Sequence, residues 1–353
     1  MSTIYINAVK QISVQQPLVD DWFERPGFYS EPYIRAIEPD YKQFFTPNEA
    51  RRFGNILKRA LVVSRQAMLE SGISQPDAII TGTGLGCIEY TKIFLDKLVR
   101  EGEELLNPTY FMQSTHNTIS SLAAIDAKCH AYNNTYSHKG ISFECALQDA
   151  FIQLQRGKAF TALVGAHDEM IPVYFMFLKK TGYLGKPNQV FAGETAVAMM
   201  LSTEKTEKTL CEIEAVEKVY IGHGTRDMRH ETISNLKSQV SSLKISNLDY
   251  IMVGTNGDEE NDKIYFENCA ELFPNIPLLQ YKNIFGESYT APALGVYAAA
   301  LCLQRGEIPD FLMCDMRPAI QDNLKFQISN SKSQILCYNH FENKNHTFIL
   351  LSK

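Results

Sequence analysis

The chain has 353 residues, 45% hydrophobic and 21% charged, which is enough apolar material for a large core and a usual length for two fused domains. A net charge of −6 without a basic block argues against a nucleic-acid binder, which needs Lys and Arg to neutralise phosphate. Eight cysteines with no Cys-x-x-Cys spacing, most of them in apolar runs, argue against a disulfide framework or zinc centre and for free thiols in a reducing compartment.

In chain order, Met1–Asn7 lacks a basic region followed by an apolar one, so no signal peptide is expected. Strand-like apolar segments fall at 3–8, 78–83, 160–166 and 196–202. The clearest helix signal begins at Thr46-Pro47-Asn48-Glu49. There Thr46 and Glu49 satisfy early backbone N–H groups reciprocally, and proline takes the first helical position, where its missing donor costs nothing. That helix is expected to run to Ser71-Gly72. Thr81-Gly82-Thr83-Gly84-Leu85-Gly86 is a glycine-rich strand-to-helix turn, but without the Gly-Lys-Ser/Thr ending of a phosphate loop. Asn134 through Cys145 reads as a short strand, a tight turn and the start of a helix over Ile141–Leu154. Polar Ser202–Lys208 is a connector. Beyond it, strands are expected at 211–221, 249–254, 334–338 and 347–351, with helices at 259–272 and 290–305. No uncharged apolar run reaches the ~20 residues of a membrane helix, so the expected compartment is the cytoplasm.

Several of these landmarks resemble, in order, those of the thiolase-fold β-ketoacyl synthases. The segment from Asn134 to Gly157 is similar to the nucleophile elbow, where the family strand ends in Ser-Thr-Ala-Cys-Ala-Ser and the helix closes on Arg-Gly. The Gly82–Gly86 turn, Asn107–Phe111 with Ser114–Thr118, Gly193–Leu201, and Lys282-Asn283-Ile284-Phe285-Gly286-Glu287 followed by Ala293-Leu294-Gly295 match further family segments. The resemblance implies an α/β thiolase-like fold: two related βαβαβ halves, residues 1–205 and 206–353, forming a layered α-β-α-β-α core.

It also shows what is missing. The reactive cysteine of the family falls on Gly140, which can make the turn but cannot carry an acyl group. The first family histidine, counted back from Asn261-Asp262, falls on Gly254, and the second, five residues past the signature lysine, on Glu287. No histidine occurs between His230 and His340 to rescue either. The glycine-rich loop that carries the gating phenylalanine and an oxyanion-hole N–H becomes Asn339–His346, with no glycine to take positive φ angles. Of the chemical group only Lys282 remains, and no catalytic residue is expected.

Other residues invite attention. Cys145 reads as a packed helix residue and Ser142 has no evident base. His138 is expected to fill the volume of the lost cysteine pocket, and His116 to meet it or to cap a local turn. His167-Asp168-Glu169 looks like a metal cluster but stands where the family has structural acids, so no metal and no cofactor are expected.

By resemblance, the chain is similar to the non-catalytic chain-length-factor subunits of aryl-polyene and flexirubin-type systems. Such a subunit pairs with an active β-ketoacyl synthase paralogue, is served by an acyl carrier protein and walls an acyl tunnel. Tyr110, Phe111, Met112, His116 and His138 are the candidates for that wall, within Thr109–Asn117 and the elbow, or they simply pack an interface. Two other readings are a thiolase-fold acyl transferase, decarboxylase or hydrolase using His138, Ser142 or Cys145 with Lys282, and a homodimeric acyl-binding protein.

Overall fold

The computed structural model describes residues 2–104, 106–221, 228–243, 245–314, 325–328 and 332–353, with backbone only at 228–232 and 325–327. Its strands are β1 (Ile4–Ile12), β2 (Ala78–Gly82), β3 (Tyr132–Tyr136), β4 (Thr161–Asp168), β5 (Thr195–Ser202), β6 (Cys211–Tyr220), β7 (Leu248–Val253), β8 (Leu278–Gln280), β9 (Glu307–Pro309), β10 (Lys325–Gln327), β11 (Gln334–Phe341) and β12 (Asn345–Ser352). Its helices are α1 (Pro47–Arg52), α2 (Asn55–Ser71), α3 (Ile88–Glu101), α4 (Pro108–Met112), α5 (Thr118–Asp126), α6 (Ser142–Gln155), α7 (Pro172–Lys180), α8 (Met228–Ser242), α9 (Glu259–Leu272), α10 (Lys282–Phe285) and α11 (Pro292–Arg305).

Ten strands hydrogen-bond in the order β3-β2-β4-β5-β1-β6-β12-β11-β7-β8, while β9 and β10 form a separate ribbon. The order is the same pattern used twice. β2 is flanked by parallel β3 and β4, and β5 runs antiparallel between β4 and β1. In the second half, β7 is flanked by parallel β8 and β11, and β12 runs antiparallel between β11 and β6. The halves join where β1 meets β6, with Ile4 opposite Ile213 and Ile6 opposite Cys211.

The layering follows from where apolar side chains point. Parallel strands covered on both faces read as continuous apolar runs, as in fully buried β2 and nearly fully buried β4. A helix that is apolar all round must lie inside. Every residue of α11 from Pro292 to Leu303 is buried, and α6 packs with it in the central core. On the outer faces, α2 and α5 cover the first half, and residues of α8 and α9 the second.

The capping box at Thr46 and Glu49 forms as the sequence predicts. The helix it starts is short, however. It stops at Arg52, the chain is extended at Phe53 and Gly54, and α2 starts afresh. Gly54 lies close under Tyr90, where a Cβ would stand 2.3 Å from the ring, so only glycine fits at the break. β1 and β4 also run longer than expected, so His167 and Asp168 lie within the strand. Among the described residues, no helix is long and apolar enough to cross a membrane.

Candidate functional site

The elbow is built as the sequence predicts: β3, then a 3-10 turn at Lys139–Ile141, then α6. Lys139 takes a positive φ of 50° to make it. The Ser142 hydroxyl accepts from the His138 backbone N–H (2.8 Å) and donates to the Lys139 carbonyl (2.7 Å), so it is committed to holding the turn. Gly82 lets β2 approach the base of α6, where a Cβ would meet the Ser142 carbonyl at 2.5 Å.

The space a side chain at Gly140 would need is already filled. A Cβ there would stand 2.3 Å from Cδ2 of Phe341. Phe341 ends β11, and the segment after it is a tight hairpin turn in which Lys344 N–H donates to the Phe341 carbonyl. Glu342 and Asn343 take φ of 54° and 51°. The expectation that this loop needs glycine for positive φ is therefore corrected: the short turn between two paired strands holds both residues left-handed. The expectation for His138 is corrected as well. Its side chain is exposed, tilted against Tyr136, and the filler is Phe341.

The surroundings of Gly254 and Glu287 are filled in their own ways. At Gly254, a Cβ would meet the Tyr265 hydroxyl at 2.6 Å and Asn339 Oδ1 at 3.0 Å. Glu287 is buried and ion-paired to Lys282, whose Nζ donates to Oε2 at 2.8 Å, and Asn256 Nδ2 donates to the same oxygen at 2.9 Å. The loop bearing Asn256 is anchored by Asp262, which accepts from the N–H groups of Asn256 and Gly257. A cavity of about 240 Å³ lies above these groups, walled by Gly140, Lys282, Glu287, Tyr289, His340 and Phe341 among others.

Sequence reasoning missed the centre of the network beneath. Glu144, on α6, is wholly buried. Its Oε1 accepts from Asn339 Nδ2 at 2.6 Å and from Thr347 Oγ1 at 3.3 Å. Asn339 also donates to the Gly140 carbonyl (3.2 Å) and accepts from Tyr265 (2.8 Å). Burial pushes the Glu144 carboxyl up to about 7. A glutamate on the apolar face Phe143-Glu144-Cys145-Ala146-Leu147 is the signal that points to it. The same hairpin holds His340 and His346 opposite each other, and burial pushes them down to about 3 and about 4.

The remaining candidates do not converge. Cys145 is buried with its Sγ 3.1 Å from Lys218 Nζ, not near Lys282, and burial raises its thiol despite that lysine. Asp168 Oδ1 accepts from the Thr83 hydroxyl and the N–H groups of Gly84 and Leu85, at 2.9–3.1 Å. Glu169 accepts from Glu89 N–H. Asp168 and Glu169 therefore staple the glycine turn and the start of α3. Among the described residues, no group of three or more His, Cys, Asp or Glu is placed to hold a metal ion. Of the wall candidates, Tyr110 is half-buried against Tyr90, whereas Phe111, Met112 and His116 are exposed.

The whole-chain geometry has close counterparts. The family model of the β-ketoacyl synthase N-terminal domain matches residues 31–251. No curated protein matches the sequence. The ishigamide ketosynthase/chain length factor structure superposes with a TM-score of 0.78 at 15% identity, covering 100% of this chain and 99% of the other. A β-ketoacyl synthase from Burkholderia phymatum STM815 gives 0.79 at 13% identity, with 100% of each chain covered. The structure of ketosynthase ApeO in complex with its chain length factor ApeC, from Xenorhabdus doucetiae, gives 0.77 at 16% identity, covering 99% and 98%. The chain belongs to the β-ketoacyl synthase family and has its thiolase fold.

Proposed function

We propose that this chain is a non-catalytic, chain-length-factor-like subunit that pairs with an active β-ketoacyl synthase and helps to wall the tunnel holding the growing acyl chain. The observation that carries this reading is the Phe341 ring, which stands where the nucleophile's side chain would be. The Lys282–Glu287 pair supports it, because a lysine bound to a carboxylate leaves neither partner in the role of an imidazole. So do the positions of Ser142 and Cys145, each engaged elsewhere.

The outer face supports the pairing. β3 is one of the two edge strands of the ten-stranded sheet. α5, which packs on it, leaves Ile125 uncovered, and α3 and α4 leave Leu95, Val99, Phe111 and Met112. An edge strand and exposed apolar groups of this kind call for a partner. Phe111, which leans on Phe94, and Tyr110, which leans on Tyr90, are held by α3 as parts of a wall would be. His116, against Gly86, and His138 complete the proposed face. Two of the similar structures are ketosynthases with chain length factors, which supports a ketosynthase as the partner. An acyl carrier protein serving that pair, products of aryl-polyene or flexirubin type, and a boundary between halves at 205/206 belong to the same proposal.

Intact mass spectrometry tests the first part. Offered an acylated carrier protein or a cerulenin-type electrophile, the isolated chain stays at its own mass. A stoichiometric adduct on any side chain would instead favour an acyl transferase or hydrolase.

A further inference from the structure

Beside Glu144 lies a second cavity, of about 10 Å³, lined by Glu144, Tyr281, Asn339, Thr347, Tyr338 and the α11 residues Pro292, Gly295 and Val296, among others. Two buried polar atoms on this wall have no protein partner: Glu144 Oε2 and the Tyr281 hydroxyl. Both residues are almost wholly enclosed, at 0% and 3% exposure. Buried polar groups without partners are costly, and this void of about 10 Å³, though walled mostly by apolar groups, is at the lower limit of size for one water molecule, with these two atoms as its polar partners.

We propose that Glu144 and Tyr281 form a one-water, proton-binding site, in which Glu144 is a neutral carboxylic acid that clamps the two halves of the molecule through Asn339. The charge around it favours that form. From its own helix, the neighbour Cys145 is a buried thiol. From β11 and β12 it faces Cys337, Tyr338, Asn339 and Thr347, none of them cationic. Tyr265 of α9 reaches it only through Asn339. Of the nearby cations, Lys282 of α10 is already paired with Glu287, and Lys218 of β6, opposite Thr347 in the sheet, places its Nζ 3.1 Å from Cys145 Sγ. An ionised Glu144 would be a buried charge without a counter-ion of its own. As the neutral acid it accepts at Oε1 from Asn339 and Thr347, while Oε2–H donates to the water, which also bonds Tyr281. The first half's α6 and the second half's β11 and β12 are thereby joined directly beneath Gly140. The site depends on neither a partner nor an acyl chain, and goes beyond the subunit reading.

The sign of the linkage is fixed by the raised proton affinity. A carboxyl held at about 7 when folded, against an ordinary value of 4.5, stabilises the fold fully below that ordinary value, and the contribution is lost as pH rises toward about 7. The test compares the full chain with Glu144→Gln, which imitates the neutral acid. Infrared spectroscopy in heavy water is expected to show a protonated-carboxyl band near neutral pH that Glu144→Gln lacks. Over the same window, the wild-type folding constant should fall by about tenfold per pH unit relative to the variant at the steepest point. No such band, or parallel pH profiles, overturns the proposal. Should Glu144→Gln fail to fold, Tyr281→Phe leaves the acid in place and removes the far end of its hydrogen-bonded chain. The band is then expected to shift, and an unshifted band overturns the proposal.

Discussion

Two aromatic groups of this molecule are treated in opposite ways. Phe341 is turned inward, into the space above Gly140, while Phe111 and its neighbours Met112, Val99 and Leu95 are left on the outside of α3 and α4. In the first region every degenerate position has a filler: Phe341 at Gly140, Tyr265 and Asn339 at Gly254, and an ion pair at Glu287. In the second, apolar side chains of α3 and α4 stay open on the surface. On the proposed reading, the side chains around Gly140 and Lys282 serve stability, and what the chain offers other molecules lies on its face. The two regions should therefore respond differently to substitution, the inner one in stability and the outer one in assembly.

The largest effect is expected at Lys282. Lys282→Ala strands the buried Glu287 carboxylate and should cost about 3–5 kcal/mol in denaturant unfolding. Lys282→Met with Glu287→Leu should lose much less, since no buried charge is then left alone. If Lys282→Ala unfolds like the wild type, the pair is not holding the site floor.

Gly140→Cys comes next. The new Cβ presses on Phe341, and a cost of about 1–3 kcal/mol is expected, with no gain of condensation. Adding Phe341→Ala should return part of that cost, so the two changes are non-additive in a double-mutant cycle. Additive costs would mean that the ring does not occupy the position.

Acid should weaken the inner region before the outer one. His340 and His346 are held neutral, well below their ordinary 6.5, so their contribution is complete above that value and is lost as pH falls toward about 3 for His340 and about 4 for His346. Replacing His340 with Asn should flatten the acid limb of the stability profile measured by circular dichroism. An unchanged limb would place the titration elsewhere.

The smallest effect on stability is expected on the face. Phe111→Ser and Met112→Ser should change unfolding by no more than about 0.5 kcal/mol, as surface substitutions do, yet weaken association with a ketosynthase in size-exclusion chromatography. Tyr110→Ala should broaden product length without stopping the partner's condensation. A face whose variants lose stability but keep association would reverse the comparison.

Much of the fold can be read from local chemistry. The capping box at Thr46, the glycine turn at Gly82–Gly86 and the all-round apolar α11 each carry their signal within a few residues. The placing of Gly140, Gly254 and Glu287 at the family's cysteine and histidine positions also rests on local landmarks, and it remains part of the proposal. What surrounds them is not legible in this way. Phe341 reaches Gly140 from about two hundred residues away, and Asn339 bridges Glu144 and Gly140 over the same separation. His138 reads as the filler because it is near in sequence, but its side chain, just before the turn and two residues from Gly140, is exposed here. The need for glycine at position 54 is hidden for a similar reason, since the ring that crowds it is Tyr90 on another helix.

The most direct measurement is intact mass spectrometry of the complex purified after co-expression with the ketosynthase of its own pathway and exposed to an acylated carrier protein. The account predicts a particle with one copy of each chain and an acyl group on the ketosynthase alone. An acyl adduct on this chain, or a chain that emerges as a monomer beside an unpaired ketosynthase, would contradict it.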